Sequence, residues 1–111
     1  PSFGTIGSIL PWGIMMRPSE ALEANRPAVR QAAGRHRTAN PRVFGSVLRG
    51  KDRDGGDLDL LVDPLPGVTL FDLGGLQVEL EEMLGVPVDL LTPGDIPLKF
   101  RDEVLREAKP V

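Results

Sequence analysis

The segment Asp57–Asp63, DLDLLVD, alternates acid and leucine before turning fully apolar. Successive side chains on a strand point to opposite sheet faces, so this pattern specifies a strand with one buried and one polar face. DPLPG ends it. Thr69, with Asp72 three residues on, has the form of a capping box, and Leu73, Leu76, Leu80 and Leu84 then recur at helical spacing up to Gly85, a C-cap residue. VPVDLL follows as a second central strand. A strand–helix–strand unit of this length favours neighbouring strands with helices on one face. The bare face is left for chemistry.

The flanking segments extend the pattern. Ser19 can start a short helix over EALEAN, and Asn25 can cap a second one whose first turn holds Pro27, where a missing N–H costs nothing. Val29, Ala32, Ala33 and His36 share a face of that helix, and the single histidine is read as a packing residue rather than a catalyst or ligand. Asn40-Pro41 breaks the pattern before RVFG, a short strand. Gly74 and Gly75 each cost their helix about 1 kcal/mol relative to Ala, which close packing against the sheet would offset. PLKFRDEVLREAKP is a last helix with an Asp102–Arg106 pair at i,i+4 and Pro110 as its stop. The order is helix, helix, strand, acidic loop, strand, helix, strand, helix. This predicts an α+β domain, a small mixed β-sheet with helices packed on one face.

With 111 residues, one domain burying roughly 65% of its unfolded surface is expected, so any site must be simple. Absence of Cys excludes disulfides, thiolate zinc sites and cysteine nucleophiles and is read as a cytoplasmic habit. The net charge of −3 argues against a general nucleic-acid binder. Its distribution is uneven: Arg17–Arg53 holds nine Lys/Arg against three Asp/Glu, and Asp54–Val111 four against thirteen. One half suits an anion, the other a metal ion. Residues 1–14, uncharged and rich in Gly and Pro, are too short and broken to cross a bilayer and lack the basic start of a signal peptide. They read as an extraneous or mis-assigned leader before a single domain over 15–111.

Three motifs overlap in Val43–Val62, VFGSVLRGKDRDGGDLDLLV. Gly45–Lys51 matches a Walker A loop except at its last position, where Asp52 replaces the magnesium-binding hydroxyl, and DRDGGD is no helix to cradle phosphate. As a calcium loop counted from Asp52, it has Gly56 at position 5 and Asp57 where glycine is needed at 6. The third reading is Gly45-Ser46, ten residues, then Asp57-Leu58-Asp59. Carboxylates at i and i+2 on a strand share a side with Cα atoms roughly 6.5 Å apart, a spacing that lets both reach shared cations. Asp89 in VPVDLL is placed to add a third from the next strand. Two magnesium ions about 4 Å apart can clamp the attacking and leaving oxygens of an in-line phosphoryl displacement. Gly45 lets backbone approach a triphosphate, and Ser46 offers a hydroxyl and an N–H at a short helix start. Solvated turn carboxylates are the competing explanation. Acids inside a leucine-rich strand are costly to bury unpaired, which favours the cation.

RVFGSVLRGKDRDGGDLDLLVD resembles the G-S-x10-D-x-D signature of the polymerase beta-like nucleotidyltransferases. From about residue 18 onward the chain is similar to the minimal nucleotidyltransferases (MNT) that accompany HEPN-domain proteins. One departure is Gly56, where the family often has Ser. The resemblance implies the polymerase beta-like fold, ATP with Mg²⁺, two ions, and transfer of AMP to an acceptor hydroxyl. For the MNT/HEPN toxin–antitoxin systems it implies an antitoxin that adenylylates a tyrosine of the HEPN toxin. Carried over, Gly45 and Ser46 hold the β- and γ-phosphates, Asp57 and Asp59 bind both metals, and Asp89 binds the catalytic metal and helps deprotonate the acceptor. Arg49 is either a further phosphate contact or half of a structural ion pair, and Lys51 and Arg53 are solvated loop charges. No segment for a second, acceptor-holding domain is seen, so the acceptor is expected on a partner protein. The alternatives are a non-catalytic antitoxin that masks its toxin and a transferase for a small-molecule acceptor. Neither a membrane nor direct nucleic-acid binding is expected.

Overall fold

The computed structural model describes residues 17–111; the expected leader at 1–14 lies outside them. Its elements are α1 (Pro18–Arg35), β1 (Thr38–Phe44), β2 (Leu58–Pro64), α2 (Leu70–Leu84), β3 (Val88–Leu91), a 3₁₀ turn (Pro93–Asp95), α3 (Leu98–Glu107) and β4 (Lys109–Pro110). The sheet order is β3-β2-β1-β4. β2 pairs parallel with β3 and antiparallel with β1, and β1 pairs antiparallel with β4, so the sheet is mixed. This is the expected α+β architecture.

The expected pair of N-terminal helices is present within α1, the two meeting in a kink at Asn25, whose φ of −133° and ψ of 18° are non-helical. Pro27 lies just past that break, in a first turn that can spare its N–H. The start is at Pro18, one residue ahead of the expected Ser19. Ala21, Leu22, Val29, Ala32 and Ala33 are buried. Ala21, Leu22, Val29 and Ala32 meet Leu76, Leu80 and Leu84 of α2 and the Leu58, Leu60 and Val62 side of β2 in one core. Both caps of α2 are as read. Asp72 N–H donates to Thr69 Oγ1 at 3.2 Å, Thr69 N–H donates to Asp72 Oδ2 at 2.8 Å, and Gly85 closes the helix at φ 71°.

Several local expectations are corrected. β1 runs straight through Asn40-Pro41, because Asn40 takes a left-handed φ of 54° and the register shifts between Ala39 and Arg42. A bulge needs no ladder N–H there, so Pro41 is tolerated. Pro110 does not simply stop a helix; it sits in β4 on the sheet edge, where a missing donor is harmless. Gly75 packs against the His36 ring, 3.2 Å from where a β-carbon would stand, not against the sheet, and at Gly74 such a carbon would meet nothing within 4 Å. Asp102 and Arg106 form no ion pair. An exposed pair of this kind stabilises by only about 0.3–0.5 kcal/mol, too little to hold two long side chains. His36 is a structural residue as read: its Nε2 lies 2.8 Å from Glu79 Oε1 and ties the end of α1 to α2.

Candidate active site

The second face of the sheet carries the acids. Parallel register places Asp59 of β2 beside Asp89 of β3, and antiparallel register places Phe44 of β1 on the other flank of Asp59. Leu61 and Leu91 pair one step further along the same face. α1 and α2 cover the opposite face, so this one is open apart from the 3₁₀ turn and α3. Leu61 is nonetheless fully buried.

Asp59 is half-buried, whereas Asp57 and Asp89 are exposed. Asp57 precedes β2 instead of lying inside it, which corrects the argument from burial: only Asp59 bears a desolvation cost. That burial, with the negative charges of Asp89 and Asp57 beside it, pushes the Asp59 carboxyl above the usual range, and the Ser46 backbone N–H offsets the effect only in part. Such a cluster keeps like charges together in a poorly solvated place.

Gly45 adjoins Asp59 directly. Its φ is 78°, and a β-carbon there would come within 3.0 Å of Asp59 Cγ and overlap the carboxylate. Glycine is therefore required twice, for backbone conformation and for space. The short helix expected from Ser46 is instead a coil of turns over 45–50, in which Arg49 N–H donates to Gly45 O at 3.1 Å and Lys51 N–H to Ser46 O at 2.8 Å. Gly50, at φ 69°, breaks the coil. Gly56 closes a tight turn by donating to Arg53 O at 2.9 Å, where a β-carbon would stand 3.1 Å from that oxygen, a physical reason for glycine at this position.

Arg49 Nη2 lies 3.3 Å from Glu107 Oε1 of α3, an exposed ion pair. Beside Gly45 runs a cavity of about 480 Å³ lined by Phe44, Gly45, Arg49, Leu91, Ile96, Phe100 and Val104 together with Glu103 and Glu107; Asp57, Asp59 and Asp89 do not line it. Sequence reading missed this wall entirely. The signal for it is the recurrence of Ile96, Phe100 and Val104 every four residues, all three of which line the cavity.

A nucleotidyltransferase domain model matches residues 26–111. The chain belongs to the nucleotidyltransferase domain family. A protein of Methanocaldococcus jannaschii named "putative protein adenylyltransferase" is 39% identical over 74 residues, 67% of this chain and 80% of that one. A solved "putative minimal nucleotidyltransferase" superimposes with a TM-score of 0.76 at 45% identity, over 84% of this chain and 95% of its own. A chain of a toxin–antitoxin crystal structure with AMP-PNP shares the fold alone, with a TM-score of 0.56 at 20% identity over 82% and 66% of the two chains. The protein is thus a nucleotidyltransferase, an enzyme of the minimal type in fold. No described helix is long and apolar enough to cross a membrane.

Nucleotidyltransferases use a nucleoside triphosphate and a divalent metal. The donor set here suits a hard cation in kind and place: two carboxylates, Asp57 and Asp89, beside a third, Asp59, whose carboxyl is pushed above its usual range, next to the side-chain-free backbone of Gly45. It is not a closed cage, since no three His, Cys, Asp or Glu groups among the described residues stand in ligating geometry as they are. Two of the three acids, Asp57 and Asp89, are exposed.

Proposed function

We propose that this nucleotidyltransferase transfers AMP from ATP to a hydroxyl of a partner protein, a tyrosine of a HEPN-domain toxin, and so acts as the antitoxin. The observation that carries the reading is the crowding of Asp59 by Asp89 and Asp57 at the foot of the Gly45–Ser46 loop. Crowded carboxylates beside an open backbone are what a metal–triphosphate complex neutralises. The name of the Methanocaldococcus jannaschii relative, a protein adenylyltransferase at 39% identity, supports a protein as acceptor.

In this reading Asp57, Asp59 and Asp89 would hold Mg²⁺, which when bound supplies positive charge to the phosphates during in-line displacement. Gly45 and Ser46 bind the β- and γ-phosphates, Ser46 through its hydroxyl while its backbone N–H serves Asp59, and the nucleoside end lies along the cavity toward Phe44 and Phe100. The acceptor oxygen attacks the α-phosphorus. The bond from that phosphorus to the oxygen bridging to the β-phosphate breaks, pyrophosphate leaves, and Asp89, exposed at the edge of the cluster, takes the acceptor proton. Arg49 leaves Glu107 for the triphosphate.

The test is intact-mass spectrometry of the HEPN partner incubated with this protein, ATP and Mg²⁺. A gain of one AMP residue per transfer is expected, and Asp57→Ala with Asp59→Ala abolishes it. If the partner's ribonuclease activity falls with no mass gain, and the double variant protects equally, masking is the function.

A further inference from the structure

Among the described residues Asp52 is one of two buried polar ones, at 7% exposure, in a loop whose neighbours Lys51 and Arg53 are exposed. Its burial is directed. Asp52 Oδ2 accepts the Ser19 backbone N–H at 3.0 Å, and its carbonyl accepts Arg17 Nη2 at 3.2 Å. Ser19 is in the first turn of α1, where backbone N–H groups have no partner within the helix. Arg17, the residue at the cap position, provides no side-chain cap. A carboxylate from 33 residues along the chain therefore caps α1, satisfying an orphan donor at the positive end of the helix. Hydrogen bonds from Ser19, through its side chain and then its backbone, hold the Asp52 carboxyl below the usual range in spite of burial.

The other end of this contact is the active-site loop. Asp52 directly follows Lys51, whose N–H donates to Ser46 O at 2.8 Å, and precedes the Arg53–Gly56 turn that leads into Asp57. At its far end the loop is held where Leu58 N–H donates to Pro87 O at 2.9 Å. Asp52 ties the segment between those points to the helical layer, while Val47 and Leu48 pack against the core earlier in the loop.

We propose that Asp52 is a positioning residue for nucleotidyl transfer: by capping α1 from within the Gly45–Asp57 loop, it holds Ser46 in place before a nucleotide arrives. This rests on the reading of Gly45–Ser46 as the phosphate-holding loop. Without the cap the loop still closes its turns and keeps Val47 and Leu48 on the core, but its Asp52–Asp57 half loses its tie to α1, so ATP has to order that half on binding.

The experiment compares Asp52→Ala with Asp52→Asn, which keeps an oxygen for the Ser19 N–H. Amide hydrogen exchange across 45–57 is measured without nucleotide, and Mg·ATP affinity by calorimetry, both below the melting range of each variant. Asp52→Ala is expected to speed loop exchange and weaken ATP binding, each about tenfold, with Asp52→Asn restoring most of both. Faster exchange confined to α1, with loop protection and affinity unchanged, would make Asp52 a helix cap only and overturn the proposal. Unchanged exchange in Asp52→Ala overturns it as well. Should the parent bind no ATP, the phosphate-loop reading fails, and the exchange result alone still decides whether Asp52 positions the loop.

Discussion

Gly45 and Asp59 are in contact across the β1–β2 junction so closely that the glycine hydrogen occupies the only space a β-carbon would need. Sequence spacing relates the Gly-Ser pair to the acids, and this contact gives the relation its physical content. The strand end that carries the Gly45–Ser46 loop is the floor against which the half-buried carboxylate rests.

Gly45→Ala is therefore expected to displace Asp59 and strain a left-handed residue at once. Melting temperature should fall by several degrees, in line with a cost of about 1–2 kcal/mol for a non-glycine residue at positive φ. AMP transfer should fall at least a hundredfold. Parallel melting and transfer assays check this; a variant that melts normally and stays active shows that Asp59 need not touch Gly45.

Asp59→Asn keeps the shape of the side chain and removes one charge from a repelling group. In EDTA its melting temperature should equal or exceed that of the parent, while transfer is lost. A clear drop in stability would make Asp59 a member of a structural ion pair, leaving the metal reading without its central residue.

Arg49 is shared between Glu107 and, on the proposed reading, phosphate. Glu107→Gln should raise ATP affinity about two- to threefold at low salt, the scale of an exposed ion pair, and the gain should fade as salt is added. Arg49→Ala should weaken binding about tenfold. Calorimetric titration at two ionic strengths distinguishes these outcomes from an Arg49 that serves only to tether α3.

Glu79 joins α1 to α2 by accepting from both Arg35 and His36, and these bonds, His36 first, hold its carboxyl below the usual range. The folded state then binds fewer protons than the unfolded chain at this group. Its stabilisation is complete above the unfolded glutamate range, about 4.3, and is lost as pH falls through the lowered folded value. Glu79→Gln should melt a few degrees lower near neutral pH, a partly exposed pair being worth up to about 1 kcal/mol, and should converge on the parent in acid. Melting curves from pH 3 to 7 test both the size and the direction.

What the chain determines by itself is whatever depends on near neighbours. Alternation in DLDLLVD and the 3.6-residue recurrence of Leu76, Leu80 and Leu84 set which faces are buried, and Thr69, Asp72 and Gly85 set where α2 begins and ends. The i,i+2 relation of Asp57 and Asp59 likewise follows from backbone geometry. Register between strands does not, because pairing partners are far apart along the chain and many offsets bury the same leucines. Only the folded sheet placed Asp89 opposite Asp59, let Asn40-Pro41 pass as a bulge, and recruited Lys109-Pro110 as an edge strand. The same holds for long-range polar contacts. No local pattern announces that Asp52 caps a helix 33 residues away or that Glu107 meets Arg49, since such bonds form where desolvated donors and acceptors are brought together by the packing of distant elements.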